Sequence, residues 1–282
     1  MAKKLFITGC NGQLGKAINN LYSQNTDYQL VNTDMGDLDI SNIDEVMERI
    51  KSEKPDVIIN CAAFTAVDAC ETEIDAAYKA NALGPRNLSI AATEVDAKLM
   101  HVSTDYVFDG KLRSNPYTEF DQVNPQGMYG KTKLAGENFV KEFAKKHFIV
   151  RTAWLYGDGK NFVKTMLKLS ESHDEVSVVC DQTGSPTSAK ELALSIAALI
   201  DTDNYGTFHG TCEGSCNWAE FTQEIFRLKS KNTKVNHITS DQYPSPVKRP
   251  EYSVLENYMF KLTTNHTYAH WKDAIKEYLE EN

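Results

Sequence analysis

A chain of 282 residues, 41% hydrophobic and 24% charged, holds enough apolar material for one large α/β domain, or for one domain with a smaller companion, and is far from a disordered composition. Its formal charge of -9 argues against a nucleic-acid or anionic-membrane surface, since both call for a basic face. The apolar run before Gly9 is too short for a secretion signal, no stretch approaches a membrane span, and six cysteines without a C-x-x-C pair fit free thiols in a reducing cytoplasm.

Lys4 to Thr8 reads as a buried strand running into Gly9-Cys10-Asn11-Gly12-Gln13-Leu14-Gly15 and then an Ala17-Ile18-Leu21 helical face. Strand, glycine turn and helix in this order suit a pyrophosphate: glycines let the backbone approach it, and free N–H groups at the helix start receive its charge. The spacing is G-x-x-G-x-x-G and not G-x-G-x-x-G, so the generic fingerprint is met in its context and its last four residues. A second strand, Gln29 to Thr33, ends at Asp34, where an acid would meet the ribose of a dinucleotide. Asp39-Ile40, a helix from Ser41 to Ser52, and a continuous apolar strand from Pro55 to Asn60 follow, and the small residues of Ala62-Ala63-Phe64-Thr65 leave room at that strand's carboxyl end.

Helical spacing runs from Glu73 to Glu94, with Asn81 inside and an interruption expected near Gly84-Pro85. The strand from Lys98 to Ser103 then delivers Ser103-Thr104-Asp105-Tyr106 at its carboxyl end, where α/β enzymes keep their chemistry. A polar stretch from Asp109 to Gln126 is a long loop leading to Tyr129-Gly130-Lys131-Thr132-Lys133, the first turn of a helix that places a phenol and an ammonium on one face. A cation there would pull the phenol below its ordinary pKa near ~10 and ease proton exchange with a carbonyl or alcohol oxygen. Tyr-x-x-x-Lys occurs three times, but Tyr156/Lys160 is threaded with glycines and Tyr268/Lys272 belongs to a terminal helix expected over 268–280. Only Tyr129/Lys133 follows the fourth strand.

A fifth strand covers Phe148 to Thr152. Beyond Trp154 the pattern breaks into helices near 161–171, 188–200 and 217–229, a short strand near 176–179, a return to the sheet at Thr207-Phe208-His209, and an extended segment marked by Pro244, Pro246 and Pro250. The expected architecture is α/β, a Rossmann-like doubly wound parallel sheet with a smaller, interleaved C-terminal substrate-binding domain. Residues 1–153 form the dinucleotide-binding part, with 188–212 returning to it, and 154–187 with 213–282 form the lid. His266 and His270, four apart, lack an H-E-x-x-H frame and read as an exposed helical face rather than a metal site.

Thr8-Gly9-x-x-Gly12-x-x-Gly15, Asn60-x-Ala62-Ala63, Thr104 and Tyr129-x-x-x-Lys133 resemble the extended short-chain dehydrogenase/reductase family. Within it, Ser103 to Gly110, Tyr129 to Glu137, Arg151 to Tyr156, Asp181-Gln182-x-Gly184-x-Pro186-Thr187 and Tyr243-Pro244-x-Pro246-x-Lys248-Arg249-Pro250 are similar to the dTDP-4-dehydrorhamnose reductases. The resemblance implies a reductase that uses NADPH or NADH on the C4 carbonyl of dTDP-4-dehydro-6-deoxy-L-mannose, on the route to rhamnose-containing polysaccharide. Tyr129 would give the proton, Lys133 would hold the nicotinamide ribose and depress the tyrosine pKa, and Thr104 would bond the same oxygen. Thr104, Asp105 and Trp154 would line the deoxysugar site, and Arg249 would meet the diphosphate. Gly9, Asn11, Gly12, Gln13, Leu14, Gly15, Asp34, Asp39, Ile40, Ala62, Ala63, Phe64 and Thr65 would join Tyr129 and Lys133 around the dinucleotide. Some relatives bridge a dimer with magnesium through glutamates. Lys16, Ala17 and Lys190 stand where such acids would be needed, so the expectation is a monomer or weak homodimer without a bridging metal. Two rivals share the scaffold: sugar-nucleotide dehydratases or epimerases, of which the dehydratases carry Thr-Asp-Glu where this chain has Thr104-Asp105-Tyr106, and a non-catalytic regulatory subunit that works by binding.

Overall fold

The computed structural model describes residues 2–243 and 245–281, so Pro244 of the proline-marked segment lies outside the described residues. In chain order the elements of the first lobe are β1 (Lys3–Thr8), α1 (Gln13–Tyr22), β2 (Tyr28–Thr33), α2 (Ile43–Glu53), β3 (Val57–Asn60), α3 (Ile74–Tyr78), α4 (Gly84–Glu94), β4 (Lys98–Thr104), α5 (Met128–Phe143) and β5 (His147–Thr152). There follow β6 (Leu155–Tyr156), α6 (Phe162–Ser170), β7 (Glu175–Val179), β8 (Thr183–Gly184), β9 (Thr187–Ser188), α7 (Ala189–Ile200), β10 (Gly206–His209), β11 (Cys216–Asn217), α8 (Trp218–Leu228), β12 (Lys234–Ile238), α9 (Tyr258–Thr263) and α10 (Trp271–Glu281).

Six strands pair in parallel in the order β10-β5-β4-β3-β1-β2, the doubly wound arrangement. Such strands are buried on both faces, which is why they read as unbroken apolar runs. On β1, Leu5 and Ile7 pack with Ile18 and Leu192, while Phe6 points to the other face among Val46, Ile50 and Leu88. The chain leaves β1 toward β2 on one side and returns to β3 on the other, so the crevice lies at the carboxyl ends of β1 and β3. There Gly9 adopts φ +65°, and a Cβ on it would come within 2.7 Å of the Ala62 amide nitrogen. Only glycine fits that turn.

A second core gathers Tyr156, Val163, Phe221, Ile225, Trp271 and Ile275 around the parallel pair β7/β12. Segment 258–268, expected in the lid, instead packs on the sheet edge through Phe260 and Tyr268. The last helix also starts later than the 268 expected. Backbone bonds between Glu213 and Ala269 and between Trp271 and Glu213 hold 269–270 extended up to the start of α10, so Tyr268/Lys272 and His266/His270 share no helix face. The interruption near Gly84-Pro85 proves to be a π turn at Lys79–Leu83 between α3 and α4. Pro85 has no N–H to give the Asn81 carbonyl, and the wider turn accommodates that loss without ending the helix.

The loop over 109–126 is tied down. Tyr117 donates its amide to Val254 and accepts from Glu256, and its ring stacks on Phe108 at 4.3 Å. No helix among the described residues is long and apolar enough to cross a membrane. The six cysteines are free thiols.

Candidate active site

A cleft of 1620 Å³ runs from the glycine turn along the carboxyl ends of the strands to the C-terminal lobe. Gly12, Gln13, Leu14, Gly15, Ala63 and Thr65 line one end, Thr104, Asp105, Tyr129 and Lys133 its middle, and Trp154 and Arg249 the far side. Helix α1 begins at Gly12 without a side-chain cap, which leaves its first amides open to an anion. Gly9, Asn11, Asp34, Asp39, Ile40, Ala62 and Phe64 are not among the cleft-lining residues. Asp34 sits just past β2 and accepts the Asn11 amide at 2.9 Å, which ties the acid to the glycine turn. Asp39 is engaged with the Ser41 amide and hydroxyl at 2.9 and 2.8 Å, and Ile40 is buried with its carbonyl bonded by Asn87. The Phe64 backbone is clamped at both its N–H and its C=O by the Asn81 side chain, at 2.8 and 3.0 Å.

Tyr129 owes its position to three devices. Glu71 accepts the Met128 amide at 2.7 Å and so caps the α5 start, where Gly127 has no side chain to do it. Gly130 lets the helix lie on the Tyr106 backbone, since a Cβ there would collide with the Tyr106 carbonyl. The Tyr106 ring meets Tyr129 edge-on at 5.4 Å. Thr104 ends β4, with its hydroxyl donated to Asp105 Oδ1 at 2.9 Å and facing the Tyr129 phenol.

Lys133 is almost fully buried and donates to the Val102 carbonyl at 2.7 Å. Burial pulls its pKa down to about 8 against the opposing charge of Glu137. Glu137 itself is held by Arg151 at 2.8 and 2.7 Å and by Ser103 at 2.6 Å, so α5 is locked to β4 and β5 by a buried pair. The expected depression of the Tyr129 pKa does not occur. Burial, and then the Asp105 charge, push the phenol up, and the Thr104 hydroxyl only partly opposes them. A phenol held protonated through neutral pH is a proton donor and not a base. Asp105 is buried and pushed up to about 7, chiefly by desolvation.

Of the other Tyr-x-x-x-Lys pairs, Tyr156 lies in the second core and Tyr268 against the sheet edge. Trp154 takes φ +49° and stacks face to face on Trp218, with ring centroids 3.5 Å apart, and Phe162 adjoins at 4.4 Å. Among the described residues no group of three or more His, Cys, Asp or Glu could hold a metal ion.

The family model described as RmlD substrate binding domain matches residues 3–282. The chain belongs to the dTDP-4-dehydrorhamnose reductase family. Within this family, the solved reductase of Clostridium acetobutylicum is 54% identical, with a TM-score of 0.96 and 99% of each chain covered. That of Bacillus anthracis, solved in complex with NADP, is 41% identical with a TM-score of 0.97 over the whole of both chains. A curated dTDP-4-dehydrorhamnose reductase of Aggregatibacter actinomycetemcomitans is 39% identical over 97% of both chains.

Several residues of the site escape a reading of the sequence. Glu71 and Asp68 reach it from a short turn with no motif, and Trp218 and Phe162 arrive from helices of the second lobe, more than fifty residues from Trp154 in the first case. Asn81 carried a signal, because a polar residue inside a helix four before a proline marks an opened turn.

Proposed function

We infer that this chain reduces the C4 carbonyl of dTDP-4-dehydro-6-deoxy-L-mannose to give dTDP-L-rhamnose, drawing hydride from NADPH or NADH. The observation that carries this reading is the convergence of Thr104, Tyr129 and Lys133 in one cleft with the open helix start of the glycine turn. Family membership over the full chain and a relative solved with NADP support the substrate and the cofactor.

Tyr129 donates its proton to the carbonyl oxygen as hydride arrives at C4. Thr104 shares that oxygen, and Lys133 binds the nicotinamide ribose. For this the ammonium would exchange its bond to the Val102 carbonyl for the ribose hydroxyls. Gly12, Gln13, Leu14 and Gly15 receive the pyrophosphate, Ala63 and Thr65 flank the nicotinamide half, and Asp34 with the Asp39-Ile40 backbone holds the adenosine half. Asp105 and Trp154 line the sugar, and Arg249 takes the diphosphate, whose oxygens suit its planar fork.

The protein works as a monomer or weak dimer without a bridging metal. Lys190 is paired with Glu277 and Glu281 at 2.8 and 2.6 Å, and Lys16 with Asp158 at 2.9 Å, so ammonium groups already neutralise the acids on that face. Six free thiols suit a reducing cytoplasm. The test is loss of reduced-cofactor absorbance when the purified protein alone meets the 4-keto sugar nucleotide. Binding without turnover would turn the reading into that of a binding subunit.

A further inference from the structure

Both basic side chains at the mouth of the cleft are already tied to carboxylates. Arg249 Nη2 lies 2.7 Å from Asp68 Oδ1, and Lys248 Nζ lies 2.8 Å from Glu251 Oε1, and all four residues line the cleft. The first pair also spans it. Asp68 belongs to the connection after β3 on the sheet lobe, whereas Arg249 belongs to the segment after β12. The guanidinium lies beside the Tyr106 hydroxyl, where it opposes the rise that burial imposes on that phenol, and Tyr106 in turn packs on Tyr129. The Arg249–Asp68 pair therefore bridges the mouth beside Tyr106, whose ring rests on Tyr129.

A partly exposed pair of this kind is weak, whereas a diphosphate offers an arginine fork two charge-assisted bonds at once. Because Asp68 lines the cleft itself, a diphosphate bound to Arg249 would face its negative charge at close range unless the pair opened. We propose that Asp68 is an anion placeholder, holding Arg249 across the mouth of the cleft until the substrate's diphosphate displaces it, and thereby setting the affinity for the nucleotide half. The inference rests on the reading of Arg249 as the diphosphate contact.

Calorimetric titration of dTDP into wild type, Asp68→Asn, Arg249→Ala and the double variant tests both. Asp68→Asn removes a competitor, so dTDP should bind about two- to fivefold more tightly, while thymidine, which has no phosphate, binds equally to both proteins. In the Arg249→Ala background the same change should have no effect, which separates partner exchange from a general gain in positive potential. Unchanged or weaker dTDP binding by Asp68→Asn, with Arg249→Ala still weakened, would overturn the placeholder and leave the role of Arg249 standing. Unchanged binding by Arg249→Ala would overturn the reading of Arg249, and the inference with it.

Discussion

The two ends of the cleft are built by different means. At the glycine turn the shape is set by backbone: Gly9 at φ +65° against Ala62, an uncapped helix start at Gly12, and an Asp34 carboxylate bonded to the Asn11 amide. At the mouth it is set by long side chains in pairs, Arg249 with Asp68 and Lys248 with Glu251. Between them Tyr129 combines both devices, a glycine-permitted helix contact and a carboxylate cap from Glu71. A backbone cradle keeps its shape and its open amides without any partner, whereas paired side chains can exchange one charged partner for another.

If the middle of the cleft performs the chemistry, Tyr129→Phe should lower turnover by about 100-fold or more, the scale of general acid catalysis, while the cofactor remains bound. Tyr156→Phe should leave the chemical step intact, since that hydroxyl is buried in the second core and finds no hydrogen-bond partner. Steady-state kinetics of both variants, with cofactor binding measured by fluorescence, checks the contrast.

The next effect is one of stability. Burial raises the Asp105 pKa from its ordinary value of 3.8 to about 7. A raised carboxyl favours the fold while it is protonated, below its unfolded value, and that contribution is lost as pH climbs through the folded value. Asp105→Asn should therefore gain on the wild type between about pH 4 and 7, by an amount of order a few kcal/mol. Denaturant melts at pH 5 and pH 8 compare the two proteins, and an identical gap at both would remove the buried charge from the account.

A smaller effect belongs to the cofactor end. If Asp34 meets the ribose as proposed, an extra 2'-phosphate would face its negative charge in a screened setting worth roughly 1 kcal/mol. Wild type should use both cofactors, and Asp34→Ala should shift the ratio of kcat/KM values toward NADPH by less than about tenfold. An unchanged ratio would show that the acid serves only its bond to Asn11. Finally, chelator should alter neither rate nor mass, because Lys190 already supplies positive charge to Glu277 and Glu281. A drop in either, measured by activity and light scattering, would count against that exchange of a lysine for a metal.

What the sequence made legible follows the same division. The glycine turn and the Tyr129/Lys133 pair are local patterns legible from their place after a strand, whereas the same Tyr-x-x-x-Lys spacing at Tyr268/Lys272 lies on no common helix face. Asp68, Glu71 and Trp218 act through partners 57 to 181 residues distant or through stacking between lobes, and no local period records such contacts. The direction of the Tyr129 pKa is hidden from the sequence for a related reason. The i,i+4 spacing places Lys133 on the same helix, but it is silent about burial and about Asp105, which push the phenol up. The terminal helix began late because Glu213, far away in sequence, claims residues 269–271 for backbone pairing.

The central claim, hydride transfer to C4 of the sugar, is tested most directly by isotope. Protein incubated with dTDP-4-dehydro-6-deoxy-L-mannose and NADPH carrying deuterium at both C4 positions of its nicotinamide should yield a 6-deoxyhexose nucleotide with one deuterium at sugar C4, read by NMR. Product without deuterium there, or oxidation of the cofactor without reduced sugar, would contradict it.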